Sequence, residues 1–116
     1  MLAEKQLGLL RDILDSAKFI RAYMDGVSHD QFMALHEKQD AVMRRLEIVG
    51  EAASRLAPET RELFPHLPFR SMRGMRNILV HDYGDVDLEQ VWTTVQRDIN
   101  GLIEALEIFF ASGESE

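Results

Sequence analysis

Apolar residues recur every three or four positions through most of this 116-residue chain, which is the spacing of a helix that buries one face. The spacing predicts long amphipathic helices over residues 7–27, over residues 28 to about 57, and over residues 88 to about 111. No stretch alternates apolar and polar residues in the way that a half-buried strand does. The sequence therefore predicts an all-α fold, an antiparallel up-and-down bundle of four to five helices.

Two of these helices begin at recognisable capping residues. Ser28 is followed three residues later by Gln31, a capping-box pattern in which each side chain satisfies a free backbone N–H group. Asp87 with Gln90 offers a similar cap for the last helix. The second and last helices are therefore expected to begin just after residues 28 and 87.

Prolines divide the middle of the chain. Pro58 is suited to the first position of a short helix, whereas Pro65 and Pro68 prevent a long helix in this part of the sequence. A third helix is therefore predicted from about residue 69 to residue 80. A chain of 116 residues makes one domain, which we expect to span residues 1–111, with residues 112–116 as a disordered end.

The second predicted helix carries a seam and, beside it, a charged stripe. The seam consists of Phe32, Leu35, Gln39, Val42, Leu46, Val49, Ala53 and Leu56. The stripe, within roughly 60° at 100° per residue, consists of Asp40, Arg44, Glu47 and Glu51. Two interpretations of the stripe remain open. It is either a solvated face with ion pairs between successive turns, or Glu47 or Glu51 orients arginines from the middle of the chain.

Positive charge is concentrated in one segment of an acidic chain. The formal net charge is -7, yet residues 66–81 contain three arginines and no acidic residue. The overall field repels nucleic acid, so this segment is suited to holding a phosphate or carboxylate locally. The sequence has no cysteine, which excludes disulfides and thiolate chemistry. Because no signal peptide or membrane-spanning run is found, we expect a cytoplasmic protein without membrane association.

The third predicted helix separates into two faces. At 100° per residue, Arg73, Arg76, Asn77 and His81 share one side, and methionine, isoleucine and leucine occupy the other. A guanidinium binds phosphate bidentately, an imidazole moves a proton near neutral pH, and an amide orients either group. These side chains suit attack on a phosphodiester without a metal. From residue types alone the alternative stays open that they are surface arginines and a histidine that only complements the helix dipole.

The sequence of residues 76–83, RNILVHDY, resembles the RxxxxHxY motif of the HEPN superfamily (higher eukaryote and prokaryote nucleotide-binding domains). It is most similar to the motif of HepT-like toxins. Residues 46–53, LEIVGEAA, are similar to the LEIIGEAA stretch of that family. Val86-Asp87 and Val91-Trp92 are similar to the segment that follows its motif. The resemblance covers nearly the whole chain.

The resemblance implies a metal-independent endoribonuclease that forms a homodimer, with two motif helices meeting in a shared cleft. His81 would be the general base or acid for attack by the ribose 2′-hydroxyl group, and Arg76 would stabilise charge on the phosphorane. Asn77 would orient both side chains, while Arg70 and Arg73 would position phosphates of the RNA substrate. No cofactor and no metal are expected.

The resemblance also implies a toxin–antitoxin system. The expected partner is a minimal nucleotidyltransferase antitoxin of the MntA type, which would neutralise the toxin by transferring AMP to Tyr83. Two alternatives remain open: a catalytically silent HEPN-type module that binds nucleotide or RNA, and a helical bundle that binds a partner protein. A metal site is the least expected function, because His36 and Asp40 share a helical face without an evident set of further ligands.

Overall fold

The computed structural model describes residues 2–113 as an assembly of six α-helices and one 3-10 turn. The helices are α1 (Glu4–Met24), α2 (His29–Ala34), α3 (His36–Ser54), α4 (Pro58–Glu62), α5 (Phe69–His81) and α6 (Leu88–Ala111), and the 3-10 turn is Tyr83–Asp85. No strand occurs in this part of the chain. The predicted all-α bundle is confirmed. The end that we expected to be disordered lies mostly outside the described residues, because the description stops at Gly113.

The three long helices supply most of the core through the seams that their spacing predicts. α1 packs against both α3 and α6, and α3 also packs against α5. Two contacts show that α1 runs antiparallel to its neighbours. The side chain of Gln6 near the start of α1 accepts hydrogen bonds from the Ala57 amide and the Thr60 hydroxyl group, just beyond the end of α3. Arg11 lies over the ring of Phe110, near the end of α6, at 3.8 Å from its centroid.

The predicted capping residues begin their helices. Ser28 and Gln31 form a complete capping box at the start of α2. Pro58 occupies the first turn of α4. Asp87 caps α6 by accepting a hydrogen bond from the backbone N–H group of Glu89, at 2.9 Å. The last helix therefore has the predicted limits, residues 88–111.

The prediction of one long second helix over residues 28–57 is wrong, because the chain leaves helical geometry at Leu35. This residue has φ -102° and ψ 92° and divides the segment into α2 and α3. The side chain of Gln39, buried in the core, donates hydrogen bonds to the carbonyl oxygens of Phe32 and Met33, at 2.9 and 3.2 Å. Gln39 therefore satisfies acceptors left free where α2 ends. Leu35, a predicted seam residue, is 43% exposed instead.

Side-chain contacts of His29 join the start of α2 to the start of α6. The imidazole Nε2 of His29 lies 2.7 Å from a carboxylate oxygen of Glu89, and the ring packs edge-on against Trp92. The hydrogen bond with Glu89 raises the pKa of His29 above its ordinary value, because the carboxylate favours the protonated imidazole. The hydrogen bond between His29 and Glu89 is therefore strongest when the imidazole is protonated, and it weakens as the pH rises through the raised pKa of His29.

None of the helices within residues 2–113 is long and apolar enough to cross a membrane.

Candidate active site on helix α5

Helix α5 presents one face to the core and leaves the other uncovered. Its buried side consists of Phe69, Met72, Met75 and Leu79. Its exposed side carries Arg70, Arg73, Asn77, Val80 and His81. The division follows the helical spacing of the sequence, because apolar residues turn toward α3 and polar residues turn toward solvent. The polar residues of the predicted site therefore lie on one accessible surface.

Arg76 lies at the edge between these two faces and is held by two partners. Its guanidinium donates to the carboxylate of Glu51 on α3 at 2.8 Å and to the side-chain oxygen of Asn77 at 2.9 Å. The Arg76 side chain is 30% exposed, so part of the guanidinium still faces solvent. A guanidinium fixed in this way keeps free N–H donors for an anion.

Close packing of α3 against α5 depends on Gly50, a residue that the sequence analysis did not single out. A Cβ atom at this position would collide with the Cβ of Arg76 and would lie 2.5 Å from the carbonyl oxygen of Met72. The absence of a side chain therefore lets the two helices approach and brings the neighbouring Glu51 to Arg76. The signal in the sequence is a glycine inside a predicted helix, next to the seam residue Val49, because such a glycine often has a packing reason.

The two carboxylates of the charged stripe have different partners. Glu51 pairs with Arg76, whereas Glu47 accepts a hydrogen bond from Arg44 at 3.1 Å on its own helix. Glu47 therefore follows the first of the two interpretations of the stripe, an ion pair at the helix surface, although it lines the same groove as Arg76. Only Glu51 contacts an arginine of α5. Its role as an orienting carboxylate stays a prediction.

His81, the last residue of α5, points away from Arg76. The two residues are five positions apart, which corresponds to roughly 140° around a helix. His81 is exposed, and no hydrogen bond or ion pair of its side chain is found within residues 2–113. A single chain therefore brings together Arg76, Asn77 and Glu51, whereas His81 forms no hydrogen bond or ion pair with any of them.

Comparisons with known proteins assign the fold and this helix to a family. Residues 13–109 match the model of the family described as "Ribonuclease HepT-like". A protein of Thermococcus cleftensis named "Probable ribonuclease HepT" is 36% identical over 93 residues, which cover 80% of this chain and 84% of that protein. The chain belongs to the HepT-like ribonuclease family. This membership confirms the resemblance to HepT-like proteins of the HEPN superfamily.

Two further relatives of this HepT-like chain come from Methanocaldococcus jannaschii. "Putative RNase MJ1380" is 35% identical over 99 residues, which cover 85% of this chain and 91% of that protein. "Gamma-glutamylcyclotransferase and putative RNase MJ0434" is 40% identical over 97 residues, which cover 84% of this chain but only 44% of that protein. This chain therefore spans less than half the length of the MJ0434 protein, but most of the length of the other two relatives. No solved structure matches the HepT-like chain.

All residues predicted for the site of this HepT-like protein fall within the part that the family model matches. Arg70 and Arg73 are exposed on α5, about two turns and one turn, respectively, before Arg76 and Asn77. Tyr83 begins the 3-10 turn that follows α5, but its side chain lies outside what the structure describes. The backbone thus places position 83 just beyond the end of the helix that carries the site.

Proposed function

We propose that this protein is a metal-independent endoribonuclease that cleaves RNA through attack by the ribose 2′-hydroxyl group. The observation that carries the proposal is the fixed guanidinium of Arg76, held by Glu51 and Asn77 at 2.8 and 2.9 Å beside the exposed face that ends in His81. A fixed cation and an accessible imidazole on the same helix supply the two kinds of group that charge stabilisation and proton transfer at a phosphodiester require. Membership of the HepT-like ribonuclease family supports the same reaction.

The reaction uses the side chains of α5 in distinct roles. His81 removes the proton of the 2′-hydroxyl group, and the 2′-oxygen then attacks the adjacent phosphorus. Arg76 donates hydrogen bonds to the non-bridging oxygens while the phosphorane carries its additional negative charge. The bond from phosphorus to the 5′-oxygen breaks, and this oxygen takes a proton from a general acid. The products are a 2′,3′-cyclic phosphate and a 5′-hydroxyl end.

A homodimer would complete this site. Arg76 and His81 of one chain lie on different flanks of α5, so one phosphate does not reach both easily. A two-fold related copy that packs on the uncovered face of α5 would turn that face into a cleft. In such a cleft His81 of one copy would remove the 2′-hydroxyl proton next to the phosphate that Arg76 of the other copy binds. Arg70 and Arg73, which are exposed on the same face, would position neighbouring phosphates of the RNA.

The end groups of the products test this proposal. Purified protein is incubated with a single-stranded RNA in the presence of EDTA, and the fragments are identified by mass spectrometry. We expect cleavage at undiminished rate, with 2′,3′-cyclic phosphate and 5′-hydroxyl ends, because the nucleophile is part of the RNA and the acid–base groups belong to the protein. Fragments with 5′-phosphate ends, or cleavage that requires added Mg²⁺, would contradict the proposed chemistry.

We further propose that the ribonuclease is the cytoplasmic toxin of a toxin–antitoxin pair. Its antitoxin would be a minimal nucleotidyltransferase of the MntA type, which transfers AMP from ATP to the hydroxyl group of Tyr83 with release of pyrophosphate. Position 83 directly follows the helix of Arg76 and His81. An adenylate there would add a phosphate close to the arginines of α5 and bulk across the RNA-binding face, and both would compete with RNA.

Replacement of Tyr83 by phenylalanine is expected to prevent this modification. The wild-type protein should gain the mass of one or more AMP groups after incubation with the antitoxin and ATP, because the phenol oxygen is the acceptor. The Tyr83→Phe protein should keep its unmodified mass in the same reaction. The matched control is Tyr23→Phe, since Tyr23 is the only other tyrosine of the chain and should not alter the adduct. A Tyr83→Phe protein that still gains AMP would show that the acceptor is another residue.

One observation favours a second candidate function, an HEPN-type module that binds RNA or nucleotide without cleaving it. Within a single chain His81 forms no hydrogen bond or ion pair with Arg76, and Arg76 already has a carboxylate partner at 2.8 Å. An arginine paired in this way could bind a phosphate without catalysis. Retention of intact RNA by the wild-type protein, with no fragments after long incubation, would establish this function instead.

A further inference from the structure

A groove lies beside Arg76. It is formed where α1, α3 and α5 meet, and its volume is about 240 Å³. Aliphatic side chains from all three helices line it: Leu9 from α1, Ile48 and Ala52 from α3, and Val80 from α5. Val80 is 44% exposed. Leu9 and Ala52 are buried beneath the groove, so its accessible aliphatic surface is supplied by Ile48 and Val80, within reach of Arg76.

Charged side chains of both signs surround this aliphatic surface. Asp12 of α1, Glu47 and Arg44 of α3, and Arg55 at the end of α3 line the groove. Glu47 and Arg44 lie side by side, with 3.1 Å between the carboxylate and the guanidinium and with side-chain exposures of 32% and 66%. A ligand in the groove would thus meet hydrogen-bond acceptors and donors next to each other.

The groove is small for a ligand site. Sites for drug-sized molecules occupy roughly 300–1,000 Å³, so a volume of about 240 Å³ suits a single ring system and leaves any attached sugar and phosphate outside. A nucleobase has two apolar faces for the aliphatic side chains and a polar edge for the charged rim. Arg76, which lines the same groove, would then lie next to the phosphate attached to that base.

We propose that this groove binds a guanine base of the RNA, on the nucleotide whose 3′-phosphate Arg76 engages. The inference rests on the proposed ribonuclease function and adds a base preference to it. The Watson–Crick edge of guanine presents two adjacent donors, N1–H and N2–H₂, which match the two oxygens of a carboxylate such as that of Glu47. The O6 and N7 acceptors of guanine match a guanidinium such as that of Arg44 or Arg55.

The other bases fit this rim less well. Adenine presents an amino donor and ring acceptors but lacks the second adjacent donor, so one carboxylate oxygen would remain without a partner. Cytosine and uracil each offer a single donor group to the carboxylate and cover less of the aliphatic surface. An unpaired polar group is costly when it loses contact with water, so the groove discriminates against these bases.

Methyl resonances measured by NMR test the proposal without any need for cleavage. The full-length protein is titrated with the 3′-monophosphates of guanosine, adenosine, cytidine and uridine, and with inorganic phosphate. We expect guanosine 3′-monophosphate to shift the methyl signals of Ile48 and Val80, because a base ring would stack on these accessible side chains. Inorganic phosphate should leave those methyl signals in place. Equal shifts with all four nucleotides, or no methyl shift with any of them, would overturn the proposal.

The variant Glu47→Gln tests whether the Glu47 carboxylate recognises the base. It should reduce the preference for guanosine over adenosine 3′-monophosphate by roughly ten-fold, since it removes one carboxylate oxygen from a bidentate pair. The matched control is Glu104→Gln, the same change at an exposed position of α6, which should retain the preference. A Glu47→Gln protein with the wild-type preference would overturn the assignment of this carboxylate.

The outcomes separate the base site from the ribonuclease function. A protein that binds guanosine 3′-monophosphate in the groove but leaves RNA intact would retain the base site and refute the ribonuclease proposal. A protein that cleaves RNA after every base alike, with unshifted methyl signals, would retain the ribonuclease and refute the base site.

Discussion

Replacing His81 with alanine is expected to lower the rate of RNA cleavage by about 10²–10⁴-fold, the usual contribution of a positioned general acid or base. The fold should be unaffected, because His81 is exposed at the end of α5 and its side chain makes no hydrogen bond within the described residues. The measurement is the rate of RNA cleavage together with the thermal unfolding midpoint, Tm. A large loss of rate at unchanged Tm would assign His81 to the chemistry.

The control for this experiment is His66→Ala. His66 is also exposed, but it lies in the connection before α5, so its loss should leave the rate unchanged. Full activity in a clean preparation of His81→Ala protein would refute the assigned role of His81.

Arg76→Ala should lower the rate of RNA cleavage by an amount similar to that of His81→Ala, since a positioned donor contributes roughly 3 kcal/mol to transition-state stabilisation.

Replacing Gly50 with alanine is expected to destabilise the protein by about 1–3 kcal/mol, the usual cost of adding atoms to a closely packed interior. The new Cβ would collide with the Cβ of Arg76 and with the backbone of Met72, and backbone cannot rotate away as a side chain can. The helices α3 and α5 would therefore separate, and Glu51 would lose its position beside Arg76. We expect a lower free energy of unfolding in urea and, in addition, slower RNA cleavage.

Gly101→Ala provides a matched control for the change at Gly50. Gly101 lies within α6, and a Cβ at that position would meet no atom within 4 Å. Alanine is favoured over glycine in a helix by about 1 kcal/mol, so this variant should be as stable as the wild type or more stable. A Gly50→Ala protein with unchanged stability would show that the two helices do not need the close approach.

The sequence predicts those parts of the fold that depend on local pattern. The limits of α6 follow from Asp87 and from an unbroken apolar seam, and the start of α2 follows from Ser28 and Gln31. The two faces of α5 follow in the same way from the spacing of its arginines and methionines. In each case the residues that determine the structure lie within one or two helical turns of one another, so periodicity and capping rules are sufficient.

The break at Leu35 could not be predicted, because its cause is a contact across the break. Spacing alone continues the seam through residue 35, and nothing local opposes a helix there. At the break the Gln39 amide donates to the carbonyl oxygens of Phe32 and Met33 inside the core, a contact that periodicity and capping rules do not contain. The polar residue in the seam was visible in the sequence, but its hydrogen-bond partners were not.

The candidate site likewise combines features that the sequence predicts with features that it does not. The residue types of Arg76, Asn77 and His81 and their common exposed side are visible in the sequence. Which of Glu47 and Glu51 contacts Arg76 is not visible in the sequence. It depends on the position of α5 along α3, which Gly50 determines by direct contact. The separation of Arg76 from His81 follows from helical geometry alone, because residues five positions apart lie roughly 140° apart around a helix.

The central claim is that the 2′-hydroxyl group of the RNA is the nucleophile, and one substituted RNA tests it directly. Once the cleaved bond in an RNA oligonucleotide is known, a second oligonucleotide carries a single 2′-deoxynucleotide immediately 5′ to that bond. In EDTA the protein should leave this bond intact while it still cleaves the all-ribose RNA to a 2′,3′-cyclic phosphate. Equal cleavage of both oligonucleotides would contradict attack by the 2′-hydroxyl group.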